Sequence, residues 1–407
     1  MTRGRYFYLI LILGLLTTLS PFSIDMYLPG FPQIADYLHT TTAEVDLSLA
    51  SFFIGISAGQ LLYGPLLDRF GRKRPLYIGL ILYIIASVGC AFSTSIHMLI
   101  VLRFVEAIGS CAAAVASMAM VRDLFPVKDI AKVFALLMLV ISASPVLAPT
   151  VGGYITDAYS WQWIFIMLAA IALLILIAVF FTLPESFKPD PTHSLKPLPI
   201  INSFLTVLKE PQFYTYAFAW SVAFCGLFAY VSGAPLVLMG IYHLSAKTFG
   251  VVFALLSVGL IGSAQVNSLL LRWFKSEQLV RVAMFGQAIV GLAFLIEAMS
   301  GWFGLYGTIA MIFVFLCCLG IINPNAAALS LAPFSKNAGT ASSLMGAVQL
   351  GLGALASTAV SFFKSPTVVP MAAIMAVSSV LGLLIILIGS KYIVNKVTAT
   401  GAEVVIH

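Results

Sequence analysis

Three ionisable residues stand out inside apolar stretches, where ionisable side chains are costly and mark function: Asp25 in Ser23-Ile24-Asp25-Met26-Tyr27-Leu28-Pro29, and Arg103 and Glu106 in Arg103-Phe104-Val105-Glu106-Ala107-Ile108-Gly109. A carboxylate held out of water gains or sheds a proton when its surroundings change, because burial disfavours its charged form and a nearby arginine favours it. Cargo that alters either influence therefore changes proton occupancy. Arg103 and Glu106 are three residues apart and share one helical face. Counted from the ends of their apolar runs, Asp25 lies about four residues deep and Arg103 about seven, a difference of about 5 Å at the helical rise. The expectation is that Asp25 and Arg103 meet across a central cavity, with Asp25 and Glu106 protonatable and Arg103 setting their charge. The competing readings are a carboxylate snorkelling to the surface for Asp25 and a self-satisfied structural pair for Arg103 and Glu106.

The elements that must position these groups follow from composition. The 407 residues are 61% hydrophobic and 9% charged, with a mean hydropathy of +1.06, whereas about a quarter of a soluble protein is charged. Apolar stretches recur along the whole chain, each long enough to cross a hydrocarbon core of about 30 Å as a helix. They lack strand-like alternation, so paired backbone groups in lipid call for helices and not a barrel. Hydropathy predicts twelve spans, starting near Tyr6, Val45, Pro75, Ile96, Lys132, Trp161, Phe213, Thr248, Leu279, Trp302, Asn337 and Thr367. The N-terminal run resembles a signal peptide but continues to Leu28 without a small-residue cleavage site, so it reads as the first span.

Of the 21 basic residues, all but Arg103, Lys247 and Lys364 fall in segments on one side of the membrane together with the N-terminus. The positive-inside rule then makes both termini cytoplasmic and the span count even. The basic surplus is a matter of topology, and no nucleic-acid partner is expected. One long polar stretch, 184–211, carries Pro184, Pro189, Pro191, Pro197 and Pro199 and reads as a cytoplasmic linker between an N-terminal bundle, 1–183, and a C-terminal bundle with a tail, 212–407. Cys90, Cys111, Cys225, Cys317 and Cys318 all fall inside spans without metal-ligand spacing, so they read as packing residues. There is no H-E-x-x-H, no G-x-G-x-x-G and no P-loop, which argues against intramembrane proteolysis and nucleotide-powered pumping, and no cofactor is expected.

Between the second and third spans stands Gly64-Pro65-Leu66-Leu67-Asp68-Arg69-Phe70-Gly71-Arg72-Lys73-Arg74-Pro75. Gly64 allows close helix approach, Asp68 puts a carboxylate at a helix end and Gly71 permits a tight turn. A plain basic loop would explain Arg69 to Arg74 but not the glycine and aspartate spacing. This segment resembles the signature loop of the major facilitator superfamily at every defining position. In the fifth span, Ser144 to Gly153 resembles that superfamily's antiporter motif: Pro149, Gly152 and Gly153 match, while Ser144 and Ala148 replace glycines. The span-four element is similar to R-x-x-Q-G, with Glu106 and Ala107 in place of glutamine and glycine. Together with Ser23 to Pro29, Arg122-Asp123 and Gly339 to Ser343, these stretches resemble the Bcr/CflA branch of drug:proton antiporters.

The resemblance implies an all-α polytopic fold of twelve transmembrane helices in two six-helix bundles, in the bacterial inner membrane. It implies proton-coupled export of small amphiphiles such as bicyclomycin or phenicols, with protons and lipid as the other partners; a monomer is expected. A proton symporter importing a metabolite is the alternative on the same fold. Arg122 is expected to latch onto Asp68 when the inner gate shuts. Tyr27, Asn323, Asn325 and Gln349 are the candidates to line the cavity, with Pro324 opening the helix between the two asparagines.

Overall fold

The computed structural model describes residues 3–187, 189, 197–302, 304–334, 338–363, 367–393, 396–397 and 403–404. Lys188, Lys196, Lys336, Lys364 and the expected eleventh-span start at Asn337 lie outside them, and for Arg3, Arg5, Lys128 and Lys396 only the backbone is described.

The chain runs through α1 (Arg3–Asp25), α2 (Phe31–Tyr37), α3 (Thr42–Phe70), α4 (Lys73–Ala91), α5 (Ile96–Leu124), α6 (Val127–Ala158) and α7 (Gln162–Thr182). It continues through α8 (Pro197–Leu208), α9 (Pro211–Ala234), α10 (Ala246–Leu270), α11 (Ser276–Ser300), α12 (Gly304–Leu331), α13 (Ala338–Phe362) and α14 (Val369–Gly389). A two-residue antiparallel pairing, Lys396–Val397 with Glu403–Val404, is the sole sheet among the described residues. Twelve helices among the described residues are long and apolar enough to cross a membrane, and their starts fall within a few residues of those expected. Large apolar side chains stay exposed on them, such as Leu174, Phe180 and Phe181 on α7. A surface of this kind is stable against lipid tails and not against water.

Local signals account for the helix ends. Thr41 and Ser95 accept the backbone N–H of Glu44 and Met98, capping α3 and α5. Gly71, at φ +82°, ends α3 in the left-handed region that favours glycine. The stretch expected as a plain linker contains a helix, α8. Pro197 and Pro199 sit in its first turn, where a missing N–H leaves no bond unmade.

The fold divides into two units, one of residues 1–195 with 244–254, the other of residues 196–243 with 255–407. In the first, α5 is the central helix, packed on α3, α4 and α1, while α6 lies on α1 and α7 on α4. Close approach depends on small residues: a Cβ on Gly55 would come within 2.6 Å of the Ala107 methyl, and one on Gly109 within 2.6 Å of the Gly79 carbonyl oxygen. In the second, α9 is central, packed on α14, α13 and α12, with α11 on α12 and α14.

Candidate functional site

The first span is jointed. After Asp25 the chain leaves the α-helix, passes through a turn at Met26 and Tyr27 and a short 3-10 turn at Leu28–Gly30, and resumes as α2. Pro29 and Pro32 favour that interruption, since neither offers a backbone N–H. Helix α6 packs on the joint: Gly152 sits directly against the Met26 carbonyl, where no side chain fits, and Gln33 donates to the Thr156 carbonyl at 2.8 Å. Gly153 meets the Ala246 carbonyl, and Thr150 Oγ1 donates to the Gly250 carbonyl at 3.4 Å, so the antiporter-like segment is a backbone-contact surface on both sides.

Asp25 is the last residue of α1, 7% exposed, and makes no hydrogen bond or ion pair among the described residues. Arg103 is wholly buried on α5. Its Nη1 donates to Glu106 Oε2 at 2.7 Å and its Nη2 to the Ser23 carbonyl at 2.9 Å. The guanidinium carbon lies 4.1 Å from the centre of the Phe52 ring and 4.7 Å from that of Tyr27, so aromatic faces wrap the cation. Ser23 Oγ meets the Tyr83 hydroxyl at 2.7 Å, Ser20 donates to Ser110 at 3.0 Å, and Tyr27 meets Ser48 at 2.8 Å.

The expected meeting of Asp25 and Arg103 is therefore not formed. Arg103 is occupied by a carboxylate on its own helix and a carbonyl on α1, and Asp25 forms no ion pair among the described residues. Glu106, three residues along, reaches Arg103 with no loop to close. Tyr27 is packed against the cation and wholly buried, so it lines no open cavity here. Asn325 is equally enclosed, donating to Asn267 Oδ1 at 2.6 Å and to the Ile321 carbonyl at 2.8 Å. Asn323 and Gln349 are half-buried with no hydrogen bond among the described residues. Sequence reasoning passed over Asp46, 3% exposed on α3, which acts electrostatically on Tyr27; a carboxylate one turn inside an apolar run was the available signal.

A second polar cluster surrounds the loop between α3 and α4. Arg72 donates from Nη1 to Asp68 and from Nε to Asp123, both at 2.9 Å, and its guanidinium lies 4.3 Å from the Phe187 ring centre. Burial works against the charge of Arg72, but the hydrogen bonds and charges of Asp123 and Asp68 outweigh it and hold its pKa above the usual guanidinium range. Glu185 accepts the backbone N–H groups of Arg72 at 2.8 Å and Lys73 at 3.1 Å, placing a carboxylate on the N-terminus of α4. Ser186 donates to Asp123 at 2.9 Å. The expected Asp68–Arg122 pair is absent: Arg122 lies over Phe134, and Arg72 takes its place because it follows Asp68 by one turn and also reaches Asp123. Arg69 lies over Phe70, and Gly64 precedes Pro65 within α3. At Gly71 a side chain would also crowd Glu185, whose Oε2 would be 3.1 Å from the added carbon.

Comparison with known proteins gives a consistent match. The family model described as Major Facilitator Superfamily matches residues 13–358. A bicyclomycin resistance protein homolog of Haemophilus influenzae is 34% identical over 90% of this chain and 92% of its own length. A multidrug resistance protein, MdtL, of a Shewanella species is 28% identical over 93% of this chain and 95% of its own. Among solved structures, a D-xylose-proton symporter superposes with a TM-score of 0.72 at 18% identity, covering 98% of this chain and 99% of that one, which is a likeness of fold alone.

Proposed function

The chain belongs to the Major Facilitator Superfamily, and on that footing we propose that it is a proton-coupled antiporter exporting small amphiphiles such as bicyclomycin. It works by alternating access of two six-helix halves, 1–183 and 212–407, joined by the linker 184–211. The names of its relatives support export of drugs, and the resemblance of Pro149, Gly152 and Gly153 to the antiporter motif supports exchange.

The observation that carries the reading is Asp25, a buried carboxylate without a hydrogen-bonding partner, standing where the first span breaks. A group so placed is free to bind and release a proton as its surroundings open and close. The break is clamped by α6 through Gly152, so movement of α6 acts directly on the residues that follow Asp25. Asp68, Arg72 and Asp123, with Gly64, Arg69, Gly71 and Arg122 around them, form the inner gate, and Glu185 fixes the start of α4 within it. The distribution of basic residues supports a bacterial inner-membrane location with both termini cytoplasmic. Substrate, protons and lipid are the partners of a monomer.

Everted membrane vesicles test the proposal. Bicyclomycin accumulates inside them under an inward-acid gradient and is discharged when the gradient collapses. Accumulation that ignores the gradient removes proton coupling, and movement out of the vesicles in step with protons favours the symporter instead.

A further inference from the structure

Two buried carboxylates flank the end of α1, and their surroundings are opposite. Asp25 has no hydrogen-bond or ion-pair partner among the described residues, whereas Glu106 is wholly excluded from solvent and bonded to Arg103. The enclosure of Glu106 is made of backbone and ring. On α4 and α5, Gly79 and Gly109 bring the helices together so closely that a Cβ on Gly109 would also lie 2.6 Å from the Tyr83 amide nitrogen. On α3, a Cβ added to Gly55 would lie 2.7 Å from the Phe104 carbonyl oxygen, and Phe52 covers the guanidinium. The titratable groups that act on the pair are Tyr83 and Cys90 of α4 and Tyr27 beyond α1, each itself buried.

Arg103 joins the two halves of this arrangement. Its Nη2 satisfies the Ser23 carbonyl in the last turn of α1, where the interrupted helix leaves carbonyls without an intrahelical donor. A cation there also suits the negative end of the helix dipole. Such a cation needs a fixed counter-charge, and Glu106 supplies it from the same helix.

Resting on the reading of Asp25 as the proton site, we propose that Glu106 is a positioning residue: it keeps its carboxylate on Arg103 throughout the cycle, so that Arg103 holds the end of α1, and it does not carry the exchanged proton. A proton on Glu106 would leave Oε2 able to accept from Arg103, but it would strip the buried guanidinium of its counter-charge. Asp25 can change its proton without disturbing a single hydrogen bond in the cluster.

The test is proton release on binding bicyclomycin, followed with a pH-indicating dye on the purified full chain in weakly buffered detergent. The unmutated protein and Glu106→Gln release the same number of protons per bound bicyclomycin, and Asp25→Asn releases none. Release lost in Glu106→Gln but kept in Asp25→Asn overturns the assignment. No release from the unmutated protein overturns the antiport reading itself, a separate result. Should Glu106→Gln fail to fold, infrared difference spectra of the unmutated protein decide: the carboxylic-acid band that changes on binding moves with carbon-13 aspartate, and its moving with carbon-13 glutamate refutes the proposal. The positioning role has its own signature, since Glu106→Asp restores transport, while Glu106→Gln displaces the pH midpoint of transport as well as lowering its rate. Unchanged pH midpoints in both variants contradict it.

Discussion

The carbonyl oxygen of Ser23 lies 2.9 Å from Nη2 of Arg103, so the last turn of the first span is held by a cation rooted in α5. Arg103→Leu deletes that hold and leaves Glu106 without a counter-charge in a fully buried place. Breaking a buried pair at one partner costs about 3–5 kcal/mol, whereas replacing both removes the stranded charge. Thermal unfolding in detergent should therefore show Arg103→Leu with Glu106→Leu to be more stable than Arg103→Leu alone, although transport stays lost. Equal or additive destabilisation in the double variant would contradict the pairing.

Arg72 answers to a different test, because its two carboxylates stand on separate helices. Arg72→Lys keeps the charge but not the fork that reaches both, and a loss of about 1 kcal/mol is expected for the exposed half of such a bridge. The raised pKa of this cation means that its stabilisation is fully present below the unfolded value and fades only as pH climbs through the higher folded one. The stability difference between the parent and Arg72→Lys should stay constant from neutral pH to about pH 9, below the range in which the introduced lysine itself titrates. A difference that shrinks across that range would show that something other than Arg72 is titrating.

Glu185 caps α4 with two charge-assisted hydrogen bonds. Glu185→Gln retains an acceptor oxygen and loses the charge at the helix N-terminus, for an expected cost of about 0.3–1 kcal/mol. Glu185→Leu removes both and should cost more, with faster amide hydrogen exchange confined to Arg72 and Lys73. Unaltered exchange at those amides would show the cap to be dispensable.

Gly152 faces the Met26 carbonyl at a distance that leaves no place for a methyl group. Gly152→Ala must push α6 off the joint after Asp25, at an expected cost of about 1–3 kcal/mol. Bicyclomycin export by cells carrying Gly152→Ala should fall while the amount of protein in the membrane holds. Export at the parental rate would detach this contact from the transport cycle.

Asn267 and Asn325 form an amide pair between α10 and α12 in the second unit. Either Asn→Leu change leaves one buried amide short of a partner, worth about 0.6–1.7 kcal/mol for hydrogen bonds inside membranes. The double change should recover part of that loss in thermal unfolding, and purely additive losses would argue against the pair.

How much of this was readable beforehand depends on how local each feature is. The spans were legible because about twenty apolar residues in a row are a property of one segment, and the Gly64–Arg74 spacing was legible because a turn between two helices is equally local. Partner choice was not. Counting depth along two uninterrupted helices brought Asp25 to Arg103, but α1 stops at Asp25, and the arginine is taken by a residue one turn away on its own helix. The Asp68–Arg122 pairing rested on the resemblance alone, and the geometry differs because neighbours in sequence point about 100° apart on a helix, so that Asp123 faces the loop where Arg122 does not. Glu185, Ser186 and Phe187 went unremarked because they open a polar stretch that reads as tether, and only the fold returns them to Arg72 and Asp123.

The interruption after Asp25 has a mechanical consequence. A continuous rod transmits any tilt to both of its ends, but a rod with a joint lets one end stay still while the other swings. With α1 pinned through Ser23 and α2 pinned through Gln33, the residues between, Asp25 among them, absorb the difference as torsion. The acid therefore sits at the joint itself, between one segment held by α5 and another held by α6.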